Sequence, residues 1–144
     1  TSAPASLALA SAVVTWSSSN SWQWLTNLGP TRQVSSGISF HLALRTDGTV
    51  AAWGQNDSFQ TNVPPSLADA QTIAAGGYFS LALRSNGTVA VWGNIPAAPA
   101  YIDVMAIAAG DSHAMLLRSN GLIACWGDNS YGKSTVPNPT TLRA

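Results

Sequence analysis

The side chains able to do chemistry are few and scattered. The 144-residue chain has no Glu, six Asp, two His, one Cys, one Lys and five Arg. General acid–base catalysis needs titratable groups that converge on one substrate, and the carboxylates show no such spacing. Asp47 stands in an Asp-Gly pair, Asp57 and Asp128 follow tryptophans, Asp69 and Asp103 fall between apolar runs, and Asp111 follows Ala-Ala-Gly. His41 and His113 sit in unlike contexts one strand position apart, which places them on opposite strand faces and predicts no shared metal site. His113 reads as a partly buried ring bonded to backbone. The serines lack a nucleophile-elbow context, and a single Cys125 excludes an internal disulfide and a Cys-based zinc site. The chain reads as no enzyme, with no cofactor.

Recognition has better raw material. Loops after successive tryptophans run Ser17-Ser18-Ser19-Asn20-Ser21-Trp22-Gln23-Trp24, Gln55-Asn56-Asp57-Ser58-Phe59-Gln60 and Asp128-Asn129-Ser130-Tyr131-Gly132-Lys133, whereas a third is cut to Asn94-Ile95-Pro96. Aromatic rings among amides and hydroxyls supply contact area at low entropic cost, with hydrogen bonds beside it. Trp22, Trp24, Phe59 and Tyr131 are therefore the candidate contacts for a protein or a glycan, the alternative being that each ring covers the edge of its own sheet. Asn56-Asp57-Ser58 and Asn86-Gly87-Thr88 fit the N-glycosylation pattern, which makes Asn56 and Asn86 candidate acceptors. Arg45, Arg84 and Arg118 recur in register; they suit guanidiniums that stack on a ring or cap loop carbonyls better than an anion-binding ring.

These loops hang on a repeat. His41-Leu42-Ala43-Leu44-Arg45-Thr46-Asp47-Gly48-Thr49-Val50-Ala51-Ala52-Trp53-Gly54 corresponds residue for residue to Ser80–Gly93 and to Ala114–Gly127, and a worn copy runs Leu7–Ser17. Upstream of the inner copies stand Val34-Ser35-Ser36-Gly37, Ile73-Ala74-Ala75-Gly76 and Ile107-Ala108-Ala109-Gly110. Alternating apolar residues around Asp-Gly or Asn-Gly predict hairpins with type I′ turns at Asp47-Gly48, Asn86-Gly87 and Asn120-Gly121. The hairpins are expected near residues 7–16, 42–53, 81–92 and 115–126. No run keeps a 3.6-residue apolar period, so the chain reads as all-β, one domain of four repeats of about 36 residues. Trp16, Trp53, Trp92 and Trp126 each end a strand and read as packing residues. Small sheets with one apolar face must stack on neighbours, as in a propeller or solenoid.

The pattern A-A-G-x-x-x-S-L-A-L-R-S-N-G-T-V-x-x-W-G-x-N followed by T-V-P resembles the repeats of the regulator of chromosome condensation (RCC1-like) superfamily. Its spacing is most similar to that of β-lactamase inhibitor protein II and the Crinkly4-type ectodomains. The resemblance covers nearly all of the chain and implies β-propeller blades, with the Trp-Gly strand between blades. Complete members carry about seven blades, against four copies here. The tryptophans are 37, 39 and 34 residues apart, and the 18 residues after Trp126 with the 16 through Trp16 make a further interval of 34. The expectation is a partial propeller whose ends are completed by another copy, as ring or filament, or by a longer array.

Composition narrows the partners. Charged residues make up 8% of the chain where about 25% is usual, while 18 Ser and 12 Thr supply neutral hydroxyls. Net charge is zero and Lys133 stands alone, so no basic patch exists to release counterions from nucleic acid. The stretch from Ala3 to Val14 is broken by Pro4, Ser6 and Ser11 and is too short to span a bilayer, nor does a basic region precede it as in a signal peptide. The hydroxyl-rich, Lys-poor surface reads as extracellular. The expected function is a non-enzymatic assembly and protein-interaction module. The alternatives are a lectin-like binder using Trp22, Trp24, Phe59 and Tyr131, and an enzyme inhibitor using the same rim. Nucleotide exchange on a GTPase fits least, because so uncharged a surface steers no partner.

Overall fold

The computed structural model describes residues 13–16, 22–25 and 28–137. They form eleven strands and one 3₁₀ turn at Ser130–Gly132. A two-stranded sheet pairs β1 (Val13–Trp16) with β2 (Trp22–Leu25). Three antiparallel three-stranded sheets follow: β3 (Thr31–Ser36), β4 (Phe40–Arg45) and β5 (Val50–Gly54); β6 (Ala70–Ala75), β7 (Phe79–Arg84) and β8 (Val89–Gly93); β9 (Val104–Ala109), β10 (His113–Arg118) and β11 (Ile123–Gly127). In each the middle strand carries the Leu-Ala-Leu or Met-Leu-Leu run and the last strand ends in Trp-Gly. The first copy departs from expectation. Its strand β1 pairs with the segment after it, in the register Trp16↔Trp22 and Val14↔Trp24, and residues 7–12 lie outside the described residues.

The hairpin turns are not type I′. Arg45 N–H donates to Thr49 O at 2.9 Å and Gly48 N–H to Arg45 O at 3.1 Å, so three residues span the turn. Only the glycine has positive φ: +87° at Gly48, +79° at Gly87 and +82° at Gly121. This is a type I turn closed by a left-handed glycine, the usual three-residue hairpin with a bulge. Asp47, Asn86 and Asn120 act through their side chains. Asp47 Oδ1 accepts from Thr49 N–H (2.9 Å) and Oγ1–H (2.7 Å), and Asn86 does the same for Thr88. The sequence signal was a turn, and side-chain capping rather than left-handed tolerance is what selected Asp and Asn.

The β3–β5 and β6–β8 sheets each bury their middle strand against the next. Phe40, Leu42, Leu44 and Val50 pack with Ile73, Ala82 and Trp92 of the following sheet, and Phe79, Leu81 and Leu83 pack with Val104, Ala114, Leu116 and Trp126 of the one after. Alternation along β4 and β7 thus serves two interfaces at once, leucines forward and alanines back. The Ala-Ala-Gly motif has a similar basis: the rings of Phe40, Phe79 and His113 lie on Gly37, Gly76 and Gly110, where a Cβ would overlap them. Backbone bonds join equivalent points of successive sheets, from Ile38 N–H to Gly77 O (3.1 Å) and from Gly77 N–H to Asp111 O (2.8 Å).

Candidate functional site

The loops after Trp53 and Trp126 are built alike around an asparagine. Asn56 Oδ1 accepts from Thr61 N–H at 2.9 Å while its Nδ2 donates to Asn62 Oδ1 at 2.8 Å. Asn129 Oδ1 accepts from Ser134 N–H at 3.0 Å and from the Thr135 hydroxyl at 3.1 Å. Phe59 N–H donates to Asn56 O (3.1 Å) and Gly132 N–H to Asn129 O (2.9 Å), which folds both loops into tight hooks. Beneath the first hook Gln60 is fully buried, and its carbonyl accepts from Ser80 Oγ (2.7 Å) and from Trp92 Nε1 (2.8 Å). Trp126 Nε1 donates in the same way to Pro96 O at 3.1 Å. The repeat tryptophans therefore anchor the preceding loop as well as filling the space between sheets. Trp53 Nε1 is buried with no partner among the described residues.

Two aromatic rings stand out from these anchored hooks. Phe59 is 66% exposed and Tyr131 fully exposed, and their backbones hold positive φ of +61° and +65°. Counted from the equivalent asparagines, Phe59 occupies the position filled in the other hook by Gly132, at φ +73°. A left-handed aromatic residue stores on the order of 1 kcal/mol of strain. The first hook therefore carries an apolar ring in a place where the second carries the residue that fits without strain. The short third loop presents no ring: Ile95 and Ala98 pack inward. Trp22 and Trp24 fall on strand β2 rather than in a loop.

The charged groups are spent on structure. Arg84 Nε binds Asp69 at 2.9 Å and Arg118 Nε binds Asp103 at 2.9 Å, each across 15 residues and each with a serine hydroxyl on the same carboxylate. Arg118 also lies over the Tyr101 ring, 4.2 Å from its centroid, and Arg45 donates to Leu28 O at 2.6 Å. Stacking and carbonyl capping were expected; the pairing with the linker aspartates was missed, although the repeated interval of 15 was visible. The guanidiniums hold Asp69 and Asp103 below the usual carboxylate range, and Lys133, 2.6 Å away, with Ser130 holds Asp128 far below it. These partly exposed pairs are worth little stability each. His41 stacks at a tilt on Trp53, with Nδ1 2.9 Å from Ser36 Oγ, and burial lowers its pKa. His113 Nδ1 is buried without a partner among the described residues, so the backbone bond expected for this ring is not made through that nitrogen. No group of three metal-ligating side chains converges among the described residues.

Asn86 is exposed in its turn, and Asn56 is exposed but tied through Nδ2. Open cavities include one of about 420 Å³ beside Val91, Trp92 and Ile95, one of about 320 Å³ along the Gly37, Gly76 and Gly110 segments, and one of about 140 Å³ on the outer face of β9–β11.

The repeat with its Trp-Gly strand and glycine-backed ring matches the model of the regulator of chromosome condensation (RCC1) repeat over residues 32–60, 71–94 and 104–133, more than half of the chain. This chain belongs to the RCC1 repeat family. No curated protein matches the sequence. Among solved structures, the Crinkly ectodomain of the Arabidopsis thaliana receptor kinase ACR4 is similar at 27% identity and a TM-score of 0.60, over 67% of this chain and 38% of that one. The ectodomain of the Physcomitrella patens receptor kinase CR4 gives 22% identity and a TM-score of 0.64, over 81% and 35%. Prp20p of Saccharomyces cerevisiae, which binds Gsp1p and histones, gives 18% and 0.67, over 83% and 36%. These likenesses establish the propeller-blade fold. The chain spans little more than a third of the length of each of these proteins.

Proposed function

We propose that this RCC1-repeat chain is a non-enzymatic, extracellular interaction module that grips a protein partner through the post-tryptophan hooks. The observation that carries the reading is Phe59: an exposed aromatic ring on a rigid loop, kept in a left-handed conformation where the sister loop has glycine. Strain retained in an exposed side chain points to a contact outside the chain. Tyr131 extends the same chemistry one hook further. The scarcity of charge and the abundance of hydroxyls support an extracellular setting, as does the likeness to two receptor-kinase ectodomains. Hooks this poor in charge favour recognition by shape and apolar contact over electrostatic steering.

The test is affinity capture from secreted proteins with the wild-type chain, Phe59→Gly and Tyr131→Ala, run beside a glycan array. Partners retained by wild type and lost by both variants support the reading. An identical set on all three baits overturns it, and an array signal lost in both variants transfers the role to a sugar ligand. A second reading, completion of the blade array by another copy, is favoured by one observation: Met115, Leu117 and Ile123 of the last described sheet stay exposed where their counterparts in the earlier sheets are covered.

A further inference from the structure

The two junctions between the three-stranded sheets are built on one plan and latched differently. Where β3 meets β6, side chains of the inner strand close the backbone of its neighbour. Gln33 Nε2 donates to Ile73 O at 2.9 Å and Gln33 Oε1 accepts from Ile73 N–H at 3.0 Å, so one carboxamide pairs with β6 as a further strand would. Ser35 Oγ accepts from Ala75 N–H at 2.9 Å, and Arg32 donates to Ala70 O at 2.7 Å. Where β6 meets β9, the same repeat positions carry Gln71, Thr72 and Ala74. Among the described residues none of these side chains bonds to β9, and the Thr72 hydroxyl turns back to Gln33 Oε1 at 2.9 Å. By the shared register, Ile107 N–H and C=O and Ala109 N–H point out of the ladder as those of Ile73 and Ala75 do, and no described side chain meets them.

The outer side of the junction differs in the same sense. Fifteen residues (55–69) lead from β5 to β6, and Val63 and Leu67 of that linker pack into the first core. Only ten (94–103) lead from β8 to β9. The Gln60 carbonyl of the longer linker receives both Trp92 and Ser80, whereas the Pro96 carbonyl of the shorter one receives Trp126 alone, Ala114 standing in the place of Ser80. Beside the shorter linker lies the cavity of about 420 Å³ at Val91, Trp92 and Ile95.

Between β6–β8 and β9–β11 there remain apolar packing and two backbone bonds at opposite ends, Gly77 N–H to Asp111 O (2.8 Å) and Val104 N–H to Gly87 O (3.0 Å). Apolar contact is non-directional and tolerates a small slide or tilt. A hydrogen bond weakens steeply once misaligned. We propose that the β6–β9 junction is a joint: β9–β11 tilts about the line through those two end bonds, while β3–β5 and β6–β8 stay latched as one body. The joint acts on the two exposed rings. The hook bearing Phe59 is clamped to the β6–β8 sheet through Gln60, and the hook bearing Tyr131 starts on Ser112 O of the next sheet, with Lys133 on Asp128 beside it. A tilt therefore changes the distance between Phe59 and Tyr131 and fits the pair to a partner. That consequence rests on the reading of the hooks as a grip; the joint itself does not.

The test compares both junctions in one molecule. Thr46, Ser85 and Ser119 are exposed at the same repeat position of successive turns. In the full chain with Cys125→Ser, spin labels are placed on Thr46→Cys with Ser85→Cys across the latched junction, and on Ser85→Cys with Ser119→Cys across the joint. The expected result is a wider distance distribution for the second pair, together with amide exchange at Ile107 and Ala109 about tenfold or more faster than at Ile73 and Ala75. Thr72→Gln with Ala74→Ser transfers the latch to β9 and should narrow the second pair and slow both exchanges. Gln33→Ala with Ser35→Ala removes the latch and should widen the first pair, which decides the matter alone if the transferred latch prevents folding. Equal widths for the two pairs overturn the joint whatever the exchange rates, and leave the grip reading standing. Widths that both variants leave unchanged overturn it as well. Failure of the grip reading in the capture experiment leaves these distances untouched.

Discussion

Truncating the same repeat position in two sheets separates a closed interface from an open one. Leu81 is fully buried among Phe79, Leu83, Val104, Ala114, Leu116 and Trp126. Leu81→Ala removes its transfer free energy and leaves a cavity that the paired sheets cannot close, a cost of about 3 kcal/mol. Met115 keeps 38% of its surface in water. Met115→Ala forfeits only part of a burial worth about 2 kcal/mol and opens no enclosed cavity, so about 1 kcal/mol is lost. Urea unfolding of dilute protein, read by tryptophan fluorescence, then places the Leu81→Ala midpoint lower than the Met115→Ala midpoint by roughly 1 M, given a slope of about 2 kcal/mol/M. Equal midpoints would refute the reasoning, since they require the face of β9–β11 to be as covered as that of β6–β8.

Other outcomes follow from single contacts. Trp92→Phe removes a buried donor from Gln60 O and should cost about 1–3 kcal/mol in urea unfolding, the Ser80 hydroxyl remaining on that carbonyl. Phe59→Gly relieves a left-handed aromatic and should raise the midpoint by the equivalent of about 1 kcal/mol; a lowered midpoint would make the ring a packing residue. The depressed pKa values of Asp69, Asp103 and Asp128 contribute stability that is present above about pH 4 and lost as pH falls through the folded-state values. His41, lowered by burial, favours its neutral form in the fold, so stability should also decline as pH falls below about 6.5, and thermal melts from pH 7 to 3 show both steps. When the chain is sent through a eukaryotic secretory pathway, the glycan should attach at Asn86, whose Nδ2 has no partner among the described residues, and not at Asn56, whose Nδ2 is bonded. The added mass should vanish in Asn86→Gln and persist in Asn56→Gln.

The sheets were legible because the repeat states the same pattern three times. Leucine at every second position, a glycine-containing turn and a terminal Trp-Gly fix β4–β5, β7–β8 and β10–β11, and the family pattern is carried by those residues. The inner strands β3, β6 and β9 were visible only as the Val-Ser-Ser-Gly and Ala-Ala-Gly motifs, since small residues between two sheets leave no strong hydropathy signal. The turn type was misread because Asp-Gly and Asn-Gly suit both a two-residue turn and a three-residue one; the three-residue form is held by the Asp or Asn side-chain oxygen accepting the N–H two residues on, at Thr49, Thr88 and Leu122. The strand containing Trp22 and Trp24 was taken for a loop, its short run of four residues being flanked by serines and Asn. Phe59 and Tyr131 were legible as rim aromatics; the left-handed backbone that distinguishes them was not, because no sequence rule places an aromatic there. The aspartate–arginine pairs required the register between linker and strand, which the repeat interval contained and the composition obscured.

The inter-sheet bonds through residues 38, 77 and 111 have a consequence for how such arrays change. The three positions hold Ile, Gly and Asp, side chains with nothing in common, yet each offers the same amide and carbonyl to its neighbours. The bonds are backbone to backbone, yet the seam is not indifferent to sequence: a Cβ on Gly77 would overlap the Asp111 carbonyl, and one on Gly37 the Gly76 carbonyl. A repeat duplicated or exchanged along the array must therefore bring glycine to the positions that face a neighbour's backbone.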